Sequence, residues 1–169
     1  MKVIKAQKNS SNCIICGMEN KLGVKAPFYV LEDGSVATVF SYKSEHQSYP
    51  SRVHGGMISA LLDELMGRAL WVTEPDTYGV TTTLNVTFRR PVPYDCKLKA
   101  RAYITFNSAR GFSAKGELFS MDGVLLAEGT CKYLKLPPEK AFSSIAEAES
   151  EMKYDMPIDL QEIDFPIIP

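Results

Sequence analysis

One apolar helical segment, followed by four strand-like segments on short links, limits what this chain can fold into. In residues 57–72, Ile58, Leu61, Leu62, Leu65 and Ala69 recur at a 3.6-residue period, which predicts a helix apolar enough to be central and buried. Gly79–Phe88 then alternates, with Val80, Thr82, Leu84, Val86 and Phe88 on one face and Thr81, Thr83, Asn85 and Thr87 on the other. Lys97–Phe106, Gly111–Ser120 and Val124–Leu136 follow, the last two joined by the turn Met121-Asp122-Gly123. Links this short suit antiparallel neighbours, because parallel strands need a long crossover. Upstream, Phe28–Leu31 and Ser35–Ser41 flank the turn Glu32-Asp33-Gly34. The pattern predicts an α+β domain, a curved antiparallel sheet wrapped around one long central helix. Residues 1–26 read as loop or a short helix, and 42–53 as polar loop. Residues 139–153 read as an acidic amphipathic helix. The last sixteen residues, with three prolines, are expected to be extended or partly disordered.

At 169 residues the chain is expected to be one domain over 1–136, whose first 26 residues form an N-terminal segment, with 137–169 as an acidic tail. That tail holds two Lys against eight Asp or Glu. The remainder, 17 basic against 12 acidic residues, carries about +5, which suits an anionic ligand and equally an ordinary surface. No basic run is interleaved with aromatics, so nucleic acid is not an expected partner. No stretch is long and apolar enough to span a membrane, and the first residues lack a signal peptide's apolar core. Four cysteines without an export signal suggest a cytoplasmic protein.

The chemistry concentrates at the start of the helix. His54-Gly55-Gly56 ends a polar loop and opens the helical period. The first turn of a helix has N–H groups without intrahelical partners, and they face the positive end of the helix dipole. Two glycines there let a ligand oxygen approach the backbone closely. Asp63 follows nine residues after His54, opposite the apolar face and among the small residues Ser59, Ala60 and Gly67. A polarised carbonyl with a nearby carboxylate is a layout for acyl transfer. Spacing alone also suits a solvated polar face, and it does not choose between Asp63 and Glu64.

His54-Gly55-Gly56 with Asp63 resembles the hotdog-fold acyl-CoA thioesterases of the phenylacetate-pathway (PaaI-like) type. The similarity extends to the approach loop His46–Val53, to Leu62–Ala69, and to Thr81–Pro93 with its Asn-x-x-Phe-Arg-Arg-Pro run. It covers roughly residues 13–136. The resemblance implies a hotdog fold, hydrolysis of an acyl thioester, and a site shared across a dimer or dimer of dimers. It implies that the Gly55 N–H holds the thioester oxygen. Asp63 from the neighbouring subunit attacks the carbonyl or activates water, and Thr81 orients that water. Gln47 or Ser48 falls near a polar pocket position. Gly56, Glu64 and Thr83 are further expected pocket contacts, and His54 is expected to support its loop rather than act as base. No cofactor is implied beyond the coenzyme A carried by the substrate.

Arg89, Arg90 and Arg110, at a strand end and a hairpin turn, are expected to meet the CoA phosphates. Cys13-Ile14-Ile15-Cys16-Gly17 lacks a second Cys-x-x-Cys and a thioredoxin-like context, so structural packing with no metal is the expected role, with zinc or another metal and a redox pair as the lesser alternatives. Two rival functions remain. A non-catalytic acyl-CoA-binding module would bind without turnover. A hotdog hydratase or dehydratase would use a catalytic His in a different loop context.

Overall fold

The computed structural model describes residues 1–144, 146–147 and 152–166. Helix α1 (Gly55–Arg68) starts where the two glycines predict, with His54 as its N-cap. His54 is extended (φ −62°, ψ 134°), and its Nδ1 accepts the Gly56 N–H at 2.9 Å, satisfying one of the unpaired donors of the first turn. The helix runs on into a 3₁₀ turn, Ala69–Val72. Ile58, Leu61, Leu62, Leu65 and Met66 are buried, and each such side chain contributes about 1.5–3 kcal/mol of transfer free energy.

Among the described residues nine strands surround or flank this helix: β1 (Val3–Ala6), β2 (Tyr29–Leu31), β3 (Val36–Phe40), β4 (Gln47–Tyr49), β5 (Arg52–Val53), β6 (Tyr78–Phe88), β7 (Leu98–Asn107), β8 (Gly111–Ser120) and β9 (Leu125–Leu136). Seven form one sheet in the order β1-β2-β3-β7-β8-β9-β6, and its pairs are antiparallel. The turns at Gly34 and Gly123 use positive φ (80° and 84°), which glycine adopts without a Cβ penalty. Gly116 of β8 lies under α1, where a Cβ would sit 3.0 Å from Met66 Cγ. This is the α+β hotdog arrangement, a sheet curled around one helix.

Three expectations need correction, and a fourth gains detail. Residues 1–26 are not only loop, because β1 pairs with β2 as an outer strand. Residues 42–53 hold a 3₁₀ turn, Ser44–His46, and the small β4–β5 hairpin. The helix expected over 139–153 appears as a four-residue helix α2 (Pro138–Ala141), with residues 145 and 148–151 outside the described residues. The tail is extended but packed. Lys2 bridges Glu162, Asn9 bridges Tyr154, and Ile163 is buried with Val3, Tyr29, Leu31 and Ala37 in a second core. Apolar burial on the sheet's outer face holds the tail in place, despite its prolines and charge.

At the opposite end, β6 is an edge strand of 11 residues, exposed or half-buried throughout. A long uncovered edge with unpaired backbone groups invites pairing with another chain. Among the described residues no helix is long and apolar enough to cross a membrane.

Candidate active site

Asp63 lies on the third turn of α1, half-buried, and lines a cavity of about 270 Å³. Its Oδ1 accepts three bonds: from Thr81 Oγ1 at 2.8 Å, Tyr133 Oη at 3.1 Å and Cys131 Sγ at 3.4 Å. Tyr133 Oη also donates to the Asp63 carbonyl at 2.8 Å, tying side chain and helix backbone to β9. Among the described residues the hydrogen bonds to this carboxylate converge on Oδ1. Oδ2 is left for chemistry in the cavity.

The donors are held in their neutral forms. Burial, then the bond to Cys131 and the Asp63 charge, pushes the Tyr133 phenol far above its usual range. Burial first, against a lowering bond from Tyr133, pushes the Cys131 thiol up to about 11. Tyr133 is clamped by stacking on Phe112, ring centroids 4.4 Å apart and planes 9° from parallel.

A β-bulge brings Thr81 to this cluster. Thr81 pairs with Tyr133 and Thr83 with Lys132, with a shift of register between them. The extra residue breaks the alternation. Thr81 therefore shares the helix-facing side of the sheet with Leu84 (paired with Cys131), not the face of Thr83 and Asn85 as strict alternation predicts. Thr83 is exposed on the outer face and is not brought to Asp63 in this chain.

Glu64, next in sequence, is differently engaged. Its Oε1 accepts Arg68 Nε at 2.8 Å and its Oε2 lies 3.9 Å from Cys13 Sγ. Arg68 is 1% exposed, with its guanidinium 4.2 Å above the Phe28 ring. Cys13 and Cys16 line the same cavity as Asp63, and so do Phe142 and Met152 from the tail. Phe142 meets Tyr78 edge-on at 4.8 Å. The tail therefore forms part of the cavity wall as well as covering the sheet.

The helix start forms a separate cleft, lined by Ser48, Gly55, Phe88, Arg89 and Arg90. The Gly55 N–H has no acceptor among the described residues, whereas the Gly56 N–H is taken by His54. A Cβ at position 55 would lie 3.2 Å from the Phe88 ring, so the close approach there needs glycine. Arg89 pairs with Glu128 at 2.7 Å, and Arg90 is exposed. Gln47 is exposed on β4. Arg110 lines another cleft, with Phe106 and Leu134, and is not gathered with Arg89 and Arg90 within one chain. Nor are Gly55 and Asp63 brought together: eight residues of helix separate them by about 12 Å.

Sequence reasoning missed Tyr133, Cys131 and Arg68. The first two share strand parity on β9 with the partner of Thr81, and Glu64 and Arg68 stand at i, i+4 spacing. Those are the signals that could have found them.

A thioesterase superfamily model matches residues 51–127, a segment that carries the helix start, Asp63 and Thr81. An uncharacterized protein of Schizosaccharomyces pombe is 29% identical over 99 residues, 57% of each chain, so this chain spans under two thirds of that relative's length. Among solved structures, a thioesterase superfamily protein is 26% identical with a TM-score of 0.65, over 70% of this chain and 61% of that one. A phenylacetic acid degradation-related protein from Ralstonia eutropha is 25% identical with a TM-score of 0.59, over 66% of this chain and 85% of that one. A Bacillus halodurans protein solved with CoA is 26% identical with a TM-score of 0.58, over 64% and 72%. In its architecture the chain has the hotdog fold of these proteins, and over residues 51–127 it is similar to the thioesterase superfamily, the PaaI-like proteins among them.

Proposed function

We propose that the protein hydrolyses an acyl thioester of coenzyme A to the free acid and the thiol. The observation that carries this reading is the Asp63 carboxylate, fixed on Oδ1 by three neutral donors with Oδ2 left over a cavity. A carboxylate held this way pays little reorganisation when it acts. The Gly55 N–H supplies the other half, a free donor at the positive end of α1 for the oxygen that gains charge in the transition state.

Because about 12 Å of helix separates the two groups in one chain, the reading requires two copies. Gly55 of one protomer faces Asp63 of the partner subunit, with the uncovered β6 edge as the docking strand. The reaction balances along either of two routes. As general base, Asp63 takes a proton from water as the hydroxide oxygen bonds to the carbonyl carbon. The C–S bond then breaks, and the proton goes to the thiolate. As nucleophile, the carboxylate first displaces the thiolate to form a mixed anhydride, which water hydrolyses. Thr81 has given its hydrogen to Asp63 but keeps lone pairs that accept one from the water. Arg89 and Arg90 beside the helix start suit the CoA phosphates. The apolar wall supplied by Trp71, Tyr78 and Phe142 suits the acyl chain.

The test is thiol release from short, long and aromatic acyl-CoAs by the wild type and Asp63→Asn. Turnover that collapses in the variant while acyl-CoA still binds is the expected result. Tight binding without turnover of any thioester by the wild type would make this a binding module instead. Hydration of an enoyl-CoA with the thioester intact would move it to the hydratase branch.

A further inference from the structure

The geometry points to a metal site on the far wall of the same cavity, built from Cys13, Cys16 and Glu64, which would take a thiophilic divalent cation such as Zn²⁺. It is independent of the thioesterase reading. The two sulfurs and a Glu64 carboxylate oxygen all lie within 4.8 Å of one another. A tetrahedral zinc holds two thiolates about 3.8 Å apart, and carboxylate oxygens bind at about 2.0–2.2 Å. Side-chain rotations that close the cluster by roughly 1 Å therefore suffice.

The loop places hydrogen-bond donors at both sulfurs. The Ile15 N–H donates to Cys13 Sγ at 3.3 Å. Ser10 Oγ accepts the Cys13 N–H at 3.3 Å, which leaves its own hydrogen for Cys16 Sγ at 3.1 Å. Metal binding displaces the thiol protons, and donors already aimed at both sulfurs then hold the thiolates. The turn closes through the Gly17 N–H on the Cys13 carbonyl at 2.8 Å. A Cβ at Gly17 would meet that carbonyl oxygen at 2.3 Å, so glycine is required after the second cysteine. Bonds from Val24 N–H to the Ile14 carbonyl and from Ala26 N–H to the Ile15 carbonyl, both 2.9 Å, pin the loop to the domain. The ligand atoms are thus preorganised, though the residues lie on two separate elements.

Arg68 completes the case. Its Nε holds Glu64 Oε1, turning Oε2 toward Cys13, as partners behind metal ligands commonly do. Its Nη2 is a buried donor with no hydrogen-bond partner among the described residues. Two thiolates and a carboxylate carry −3; a divalent cation and the Arg68 guanidinium cancel it. A closed electrostatic shell of this kind can be buried without a stranded charge. Three protein ligands leave the fourth position open to the cavity that Asp63 also lines. The proposal takes the metal alternative for this Cys-x-x-Cys in place of structural packing. The third ligand was hidden because it comes from α1, some fifty residues away.

The experiment is elemental analysis of the reduced, untagged full chain, followed by Co²⁺ titration of the metal-stripped wild type. One zinc per chain and a thiolate-to-cobalt charge-transfer band that saturates at one equivalent are expected. Cys13→Ser with Cys16→Ser should abolish both. Arg68→Met keeps every ligand and should weaken affinity about 10- to 100-fold, which separates a tuned site from any exposed thiol pair. No charge-transfer band on the wild type, or an equal band in the double cysteine variant, would overturn the site. So would a purified chain that holds a Cys13–Cys16 disulfide and, once reduced, takes up no cobalt.

Discussion

Two consecutive carboxylates on α1 face two walls of one cavity, and the walls treat them differently. Asp63 meets hydroxyl and thiol donors from β6 and β9. Glu64 meets a buried guanidinium. Neutral donors fix the position of a carboxylate while leaving its charge to be spent on a substrate. A paired cation holds the charge for structure or for a metal. The helix thus assigns one acid to reaction and its neighbour to scaffolding by rotating them about 100° apart on the wheel.

Asp63→Asn breaks the comparison most severely. The amide still accepts from Thr81 but supplies neither base nor nucleophile, so kcat should fall about 10²- to 10⁴-fold with the fold intact. Steady-state kinetics beside a melting curve read both; unchanged kcat would move the chemistry off this wall. Arg68→Met tests the other wall through stability. Removing one partner of a buried pair costs about 3–5 kcal/mol, and chemical denaturation should show it. Because Glu64 is 26% exposed, the cost belongs at the low end. Adding Glu64→Gln to Arg68→Met should recover part of the loss, since no lone charge then remains; an additive double variant would contradict the pairing. Tyr133→Phe is milder. It removes one hydroxyl shared between the Asp63 backbone and Oδ1, worth about 1.5–3 kcal/mol for a bond to a charged acceptor. That should appear as a drop of kcat with little change in KM.

The walls were unequally legible in the sequence. Period and turn chemistry gave β6 to β9 nearly to the residue and α1 to within four residues, because each element is long and buries one face. Gly55 stood out because a helix start is a local feature, whereas Asp63 was singled out from Glu64 only by the resemblance. The bulge between Thr81 and Thr83 left no mark in a run of three threonines, so the parity of Thr81 came out wrong until the register with β9 was known. The far wall depends on contacts distant in sequence: Cys13 with Glu64, and Arg68 with the Lys8 carbonyl at 2.9 Å. A charged residue on a helix usually marks a solvated face, so nothing local announced a buried Arg68. The tail's extended course was legible, but its packing was not, for the same reason. Ile163 and Phe165 sit among prolines and charges, and only the sheet's outer face shows what they cover.

The smallest effect probes the Asp63 wall through pH. Cys131 titrates near 11 in the fold against an ordinary 9.0, chiefly because burial disfavours the thiolate. A group whose folded value is raised contributes its full stability below the unfolded value and loses it as pH rises through the folded one. The contribution of Cys131 is therefore constant below about pH 9 and declines between about 9 and 11. Cys131→Ala should flatten that decline in a series of melting temperatures, while leaving the neutral-pH slope as it was. Near neutral pH the same variant should change kcat less than Tyr133→Phe does, because a thiol 3.4 Å from Oδ1 is the weakest of the three donors. If the alkaline slope survived the substitution, the thiol would not be the group held neutral against Asp63, and Tyr133 would carry that wall with Thr81 alone.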